Sequence, residues 1–215
     1  MRRIFPDCSI SLSATRIKSD DHATVENLRL HIDEIAEAAQ LFDPPGAVNV
    51  FAYACTSGSA IISKEKLEEK LVGRIPGSRL TSPMTAALQA FAILEVNRVS
   101  MLSPYTDEVL SFINQSLTDA GISLSSSASF NLESDEETFA ISPESIFEAA
   151  CAIDTEDSEA FFIPCTALRT SIIIDPLEAR LCKPVITAHQ AMLWNALRLI
   201  GHKKPIYGFG KLLTL

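Results

Sequence analysis

The sequence predicts an α/β fold of two similar lobes, each built on a parallel sheet with crossover helices. Three observations carry this. Short apolar runs alternate with amphipathic stretches along the chain, the pattern of strand–helix–strand units whose strands are covered on both faces. One such unit occurs twice, about a hundred residues apart, as an internal repeat of a whole lobe would leave it. In both copies an apolar run breaks abruptly into Cys-Thr: Val48-Asn49-Val50-Phe51-Ala52-Tyr53-Ala54-Cys55-Thr56-Ser57-Gly58 in the first, and Ala160-Phe161-Phe162-Ile163-Pro164-Cys165-Thr166-Ala167 in the second.

The elements follow in order. Residues 9–17 alternate loosely and read as a strand. Asp20 or Asp21 then caps a helix whose apolar face carries Val25, Leu28, Ile32, Ile35, Ala36 and Ala39. Its charged positions read as a solvated face, and His22, His31 and His202 are placed on solvated or terminal segments. Pro44, Pro45 and Gly46 end that element and lead into the Cys55 strand. Beyond Cys55, residues 61–72 set Ile61, Ile62, Leu67 and Leu71 between charges, as an amphipathic helix does. Residues 73–77 form a loop, and after Arg79-Leu80-Thr81-Ser82 a helix opens at Pro83 and runs to Leu94. Arg98 to Leu102 form a strand that Ser103-Pro104-Tyr105-Thr106 terminates. A helix from Asp107 to Ala120 is closed by Gly121. Residues 122–130 are serine-rich and read as a strand passing into a loop, residues 133–137 as an acidic surface loop. Pro143 opens a helix ending near Ile153. After Cys165-Thr166 a helical pattern runs through Ile172, Leu177 and Arg180, and Val185-Ile186-Thr187 is a strand leading into a last helix. Residues 1–96 form the first lobe, 97–187 the second, and 188–215 pack back on the first.

Composition narrows the function classes. With 47% hydrophobic and 21% charged residues, the chain of 215 residues buries a substantial core. A net charge of -9 argues against non-specific binding of nucleic acid. No run approaches the roughly 18 apolar residues that span a bilayer, and no secretory signal pattern stands at the N-terminus. The five cysteines are irregularly spaced, with no C-x-x-C pair and no zinc-spaced Cys/His set, so reduced thiols in a cytoplasm fit best. Cys8, Cys151 and Cys182 read as structural. Neither a Gly-rich phosphate loop nor a Gly-x-Ser-x-Gly elbow occurs. A homo-oligomer is compatible with the sequence.

The chemistry therefore falls to the two thiols. Cys55 stands where a buried strand hands over to a helix, the edge at which open α/β sheets bind ligands. Free N–H groups there favour an anion, a thiolate included. A lone free cysteine is most often a small buried apolar side chain. The second Cys-Thr in an equivalent place makes a working pair the better reading. Thr56, Ser57 and Thr166 follow the thiols at helix starts and are placed to stabilise an anionic substrate.

Ala54-Cys55-Thr56-Ser57-Gly58-Ser59, Leu102-Ser103-Pro104-Tyr105, Pro164-Cys165-Thr166-Ala167-Leu168-Arg169 and Lys183-Pro184-Val185-Ile186-Thr187, with Gln190-Ala191, Trp194 and Leu197-Arg198-Leu199, resemble one family. It is the maleate cis–trans isomerase and arylmalonate decarboxylase branch of the aspartate/glutamate racemase superfamily, which includes proteins of ectoine utilisation. The resemblance implies two Rossmann-like lobes related by a pseudo-two-fold axis, with the active site in the cleft between them. It implies no metal and no organic cofactor, and a small mono- or dicarboxylate as substrate. It assigns catalysis to Cys55 and Cys165, and a hydrogen bond to a substrate carboxylate to Tyr105. In the isomerases the first cysteine adds as thiolate to a cis-enedioate, and the second manages a proton or shields the intermediate. In the racemases the two thiols work on opposite faces of one carbon. The decarboxylases carry glycine at the first position, so Cys55 favours isomerase or racemase chemistry.

Two departures from the family pattern stand out. Where the family usually has Ser-Asn-Gln, this sequence has Ala188-His189-Gln190. His189 is then a donor to carboxylate, a group that tunes Cys165, or a tolerated polar substitution at a helix start. The family also begins with a strand ending in a Pro-Ser-Ser-Asn-like turn, and no such segment is found ahead of residues 9–17. That departure fits a shortened gene product, and it admits a non-catalytic remnant that binds small acids. Thiol redox sensing, which needs the two sulfurs close enough to pair, is a weaker alternative.

Overall fold

The apolar runs pair as parallel strands in two sheets. In the computed structural model, residues 10–18, 22–43, 47–71 and 74–215 are described. The first sheet joins β1 (Val50–Ala52) to β2 (Arg79–Thr81). The second has the order β4-β3-β5-β6, with β3 at Arg98–Tyr105, β4 at Ser123–Leu132, β5 at Ala160–Ile163 and β6 at Val185–Thr187. All its pairings are parallel, so each connection is a crossover carrying a helix. The helices are α1 (Val25–Ala39), α2 (Thr56–Ile61), α3 (Lys64–Leu71), α4 (Pro83–Ile93), α5 (Asp107–Asp119), α6 (Asp135–Ala140), α7 (Pro143–Ile153), α8 (Ile174–Leu181) and α9 (Ala188–Leu199). No helix among the described residues is long and apolar enough to cross a membrane.

Two apolar clusters form. The larger fills the space around β3, β5 and β6, where Phe162 meets Phe91 of α4 edge-on with ring centroids 5.3 Å apart. The smaller gathers Ile35 and Ala39 of α1, Phe51, Tyr53, Ile62, and Leu67 and Leu71 of α3. Cys55 packs against both. Helix α9 lies along α4 and also touches β1, β2 and β6. The Thr81 hydroxyl donates to Asn195 Oδ1 at 2.6 Å, tying β2 to α9.

Several elements differ from the expectation. Residues 10–18 have no regular structure, and Leu12 is 71% exposed; no described strand pairs with them, and an extended segment without a ladder stays irregular. Ser9 lies outside the described residues, as do Asp20, Asp21 and Pro44 to Gly46; α1 is capped by Thr24, whose Oγ1 accepts from Asn27 N–H at 3.2 Å. The amphipathic stretch after Cys55 is two helices, because the Ser63 hydroxyl accepts from Lys66 N–H and starts a new one. β3 runs through Pro104 to Tyr105. Its pairing with β5 ends at Met101, and the β4 ladder shifts register between Ser103 and Tyr105, so the missing N–H of Pro104 breaks nothing. The serine-rich stretch is strand throughout: Ser126 donates to Ile153 O at 2.6 Å and Ser125 meets the Thr155 hydroxyl at 2.6 Å. The acidic stretch 133–137 is the start of α6, opened by a Ser134/Glu137 capping box.

Candidate active site

β1 leads directly to the first thiol. Tyr53 N–H still bonds Thr81 O at 3.0 Å, so the sheet holds the chain until two residues before Cys55. Cys55 is then the N-cap of α2, in extended conformation, where serine or aspartate is usual. Its sulfur accepts from Gly58 N–H at 3.3 Å and lies 3.5 Å from the Ser57 hydroxyl. Gly58 is required by close approach: a Cβ there would collide with the Tyr53 hydroxyl and lie 3.1 Å from the Cys55 sulfur.

The second thiol follows β5. Cys165 is 5% exposed, and Ala167 N–H donates to its sulfur at 3.4 Å. Burial pushes the Cys165 thiol up to about 11, against the opposing pull of Tyr105 and two backbone N–H groups. The group is therefore a protonated thiol near neutrality. Its folded state holds the proton more tightly than the unfolded chain, whose value is near 9.0. The stability this contributes is complete below that value and is lost as pH rises through about 11. Urea unfolding at pH 8 and pH 11 should show wild type losing about 2 kcal/mol more than Cys165→Ala over that interval. Equal losses would mean that the thiol is not held in this environment.

Tyr105, at the end of β3, joins the two loops. Burial raises its phenol well above the usual range, and the nearby Cys165 and Cys55 thiols raise it further, so it stands as a neutral donor. Its hydroxyl interacts with Cys165 and with Thr56. Thr56 Oγ1 is shut off from solvent and makes no hydrogen bond of ordinary geometry. A second tie crosses at Thr166, whose hydroxyl donates to Ala54 O at 3.0 Å. Thus the loop of Cys55, Thr56 and Ser57 and the loop of Cys165 and Thr166 are tied together, with Tyr105 near both thiols.

One expected position differs. Thr166 is not at a helix start, because residues 166–173 are irregular and α8 begins at Ile174. Pro176 dictates this: without an N–H, and with its ring facing the preceding turn, it must lie in the first turn of its helix. The Thr166 hydroxyl proton is spent on Ala54, and the Ser57 hydroxyl stands against the Cys55 sulfur. His189 sits 3.5 Å from the Thr170 hydroxyl through Nε2, while its buried Nδ1 has no hydrogen-bond partner. Burial lowers its pKa, so it is a neutral imidazole. With Thr166, Arg169 and Thr170 it lines a cleft of about 440 Å³ beside the second cysteine loop. No group of three or more His, Cys, Asp or Glu among the described residues could hold a metal ion. Cys8 lies outside the described residues; Cys151 is half-buried and Cys182 exposed.

Tyr53 beside Cys55, and His31 behind it, escape a reading of the sequence by motif. Tyr53 is buried with its hydroxyl beside Gly58, and it meets His31 Nδ1 at 2.7 Å. His31 is 6% exposed, not solvated as expected. Its position could have been found: Leu28, His31 and Ile35 recur at three- and four-residue steps on the buried face of α1.

Parallel sheets with crossover helices, and a cysteine loop following β1 and another following β5, set the chain among α/β proteins. The chain belongs to the arylmalonate decarboxylase family, whose model matches residues 6–213. The arylmalonate decarboxylase of Bordetella bronchiseptica is 24% identical over 222 residues, covering 98% of this chain and 88% of that protein. Among solved structures, the maleate isomerase Iso of Pseudomonas putida S16 superposes with a TM-score of 0.89 at 19% identity, covering 99% of this chain and 89% of that one. A cysteine-to-serine variant of Nocardia farcinica maleate cis–trans isomerase, with a covalently bound succinylcysteine intermediate, gives a TM-score of 0.87 at 19% identity, covering 94% and 85%.

Proposed function

We propose that this protein is a cofactor-independent isomerase that uses Cys55 and Cys165 on a small carboxylic acid, by cis–trans isomerisation of the maleate type. The tie between the two cysteine loops through Thr166 and Ala54, with the buried Tyr105 near both thiols, supports the reading most directly. Cys55, as thiolate, adds to one alkene carbon; a C–S bond forms while the π electrons move onto the neighbouring carbon and its carboxylate. That carbon now carries a single bond about which the chain rotates. It takes a proton from the Cys165 thiol, which burial keeps protonated, and returns it after rotation. The electrons then re-form the alkene in the trans sense, the C–S bond breaks, and the Cys55 thiolate is regenerated. Extra charge on the carboxylate needs fixed donors. Tyr105 and Thr56 are suited to that role, while Thr166 braces the two loops and His189 with Arg169 meets the far carboxylate in the adjoining cleft.

A second reading has its own support. The 24%-identical relative is an arylmalonate decarboxylase, and the Cys165 loop alone would serve to protonate an enolate left by loss of carbon dioxide. A third, two-base racemisation, uses the same pair of thiols. NMR in heavy water separates them. Conversion of maleate to fumarate with little deuterium uptake supports the isomerase. Exchange at the α-carbon of a chiral acid without alkene isomerisation selects a racemase, and carbon dioxide release from an arylmalonate selects a decarboxylase. Silence across a panel of small acids, with binding retained, makes the protein a carrier of small carboxylates.

A further inference from the structure

We propose that His31 is a positioning residue for Cys55 that acts through Tyr53: as the thiol proton passes to the Tyr53 oxygen, the phenolic proton passes to Nδ1 of His31. The proposal rests on the reading of Cys55 as the reactive thiol.

The geometry forms a chain of three side chains from three elements. His31 comes from the buried face of α1, Tyr53 from the end of the β1 ladder, and Cys55 from the start of α2. His31 Nδ1 lies 2.7 Å from the Tyr53 hydroxyl, and the two rings are perpendicular. With its ring proton on Nε2, the imidazole accepts from the phenol at Nδ1. On the other side, the Tyr53 hydroxyl and the Cys55 sulfur crowd the same point, the missing Cβ of Gly58. The thiol also acts on the phenol electrostatically, adding to the effect of burial in raising it. Tyr53 is therefore a neutral go-between with one proton to pass on and one oxygen to receive another.

The proton count balances. The S–H bond breaks as an O–H bond forms on Tyr53; the original O–H breaks as an N–H forms on His31. What remains is a thiolate, a neutral phenol and an imidazolium. The thiolate keeps Gly58 N–H and the Ser57 hydroxyl, and gains the phenolic O–H as a further donor. The imidazole begins neutral, because burial lowers its pKa more than its neighbours raise it. The charges acting on it are the carboxylates of Asp135, from α6, and Glu34, from α1; both favour the cation once formed.

Alkylation tests this without any substrate, so its failure is distinct from failure of the isomerase reading. Full-length wild type, His31→Gln and Tyr53→Phe are treated with iodoacetamide across about pH 6 to 10, and labelling of the Cys55 peptide is followed by mass spectrometry. Near pH 7 both variants should label Cys55 about tenfold more slowly than wild type; near pH 10, where hydroxide removes the proton unaided, the three rates should converge. A structural role for His31 would change the rate equally at every pH. That result, or profiles that overlay wild type, overturns the proposal. Tyr53→Phe removes one oxygen and keeps the ring, so it decides the matter alone should His31→Gln fail to fold.

Discussion

Cys55→Ser is expected to lower isomerase turnover by at least about 10³-fold while the protein stays folded. The two halves of this result have separate causes. Serine is among the best N-cap residues, and its hydroxyl can take over the bond from Gly58 N–H that the sulfur now accepts at 3.3 Å. The start of α2 and the fit of Tyr53 against Gly58 should therefore survive, and the thermal midpoint should move by no more than a few degrees. Reactivity does not survive, because a hydroxyl is far less acidic than a thiol and far less nucleophilic toward a conjugated alkene. Fumarate formation beside a melting curve reads both halves at once. Turnover within tenfold of wild type would remove the covalent route and return the function to proton-transfer chemistry at Cys165.

The sequence makes legible whatever depends on local pattern. The two strand–Cys-Thr units, the helices opened by Pro83 and Pro143, and the parallel connections follow from periodicity and from proline at the first helical turn. Local pattern fails where tertiary pairing decides. Pro104 ends a strand by local rule, yet it continues one here because the pairing of β3 with β5 has already ended at Met101. Residues 122–130 read as a strand passing into a loop, and the strand runs on because a neighbouring turn supplies partners for the Ser125 and Ser126 hydroxyls. Other features do carry a local signal. Ser134 and Glu137 are spaced as a capping box, Pro176 forbids a helix beginning at Thr166, and His31 keeps step with Leu28 and Ile35. The site itself lay beyond local rules. Nothing in the spacing of Cys55, Tyr105 and Cys165 brings the phenol near the thiols; that follows from the tertiary approach of the end of β3 to the cysteine loops. The bond from Thr166 to Ala54 has the same origin.

Cys165→Ser should separate making the covalent adduct from breaking it. Protonating a carbanion is downhill and tolerates a poor donor, and the Tyr105 hydroxyl stands close by to serve. Recovering the alkene is harder, because the same carbon must give up its proton to a base. A thiolate formed transiently at position 165 meets that need, and a serine hydroxyl does not. Addition of Cys55 to maleate should therefore continue while release fails. The expected result is turnover reduced by at least about 10²-fold, together with an adduct on the Cys55 peptide heavier by one maleic acid, about 116 Da. The adduct should form in heavy water with one deuterium on the carbon beside the sulfur-bearing one, since its proton then comes from solvent. Intact-mass and peptide spectra taken minutes after mixing report both features. Free Cys55 with turnover preserved would mean that Cys165 only shields the intermediate. Free Cys55 with turnover abolished would mean that no adduct forms without the second thiol, as two-base racemisation requires.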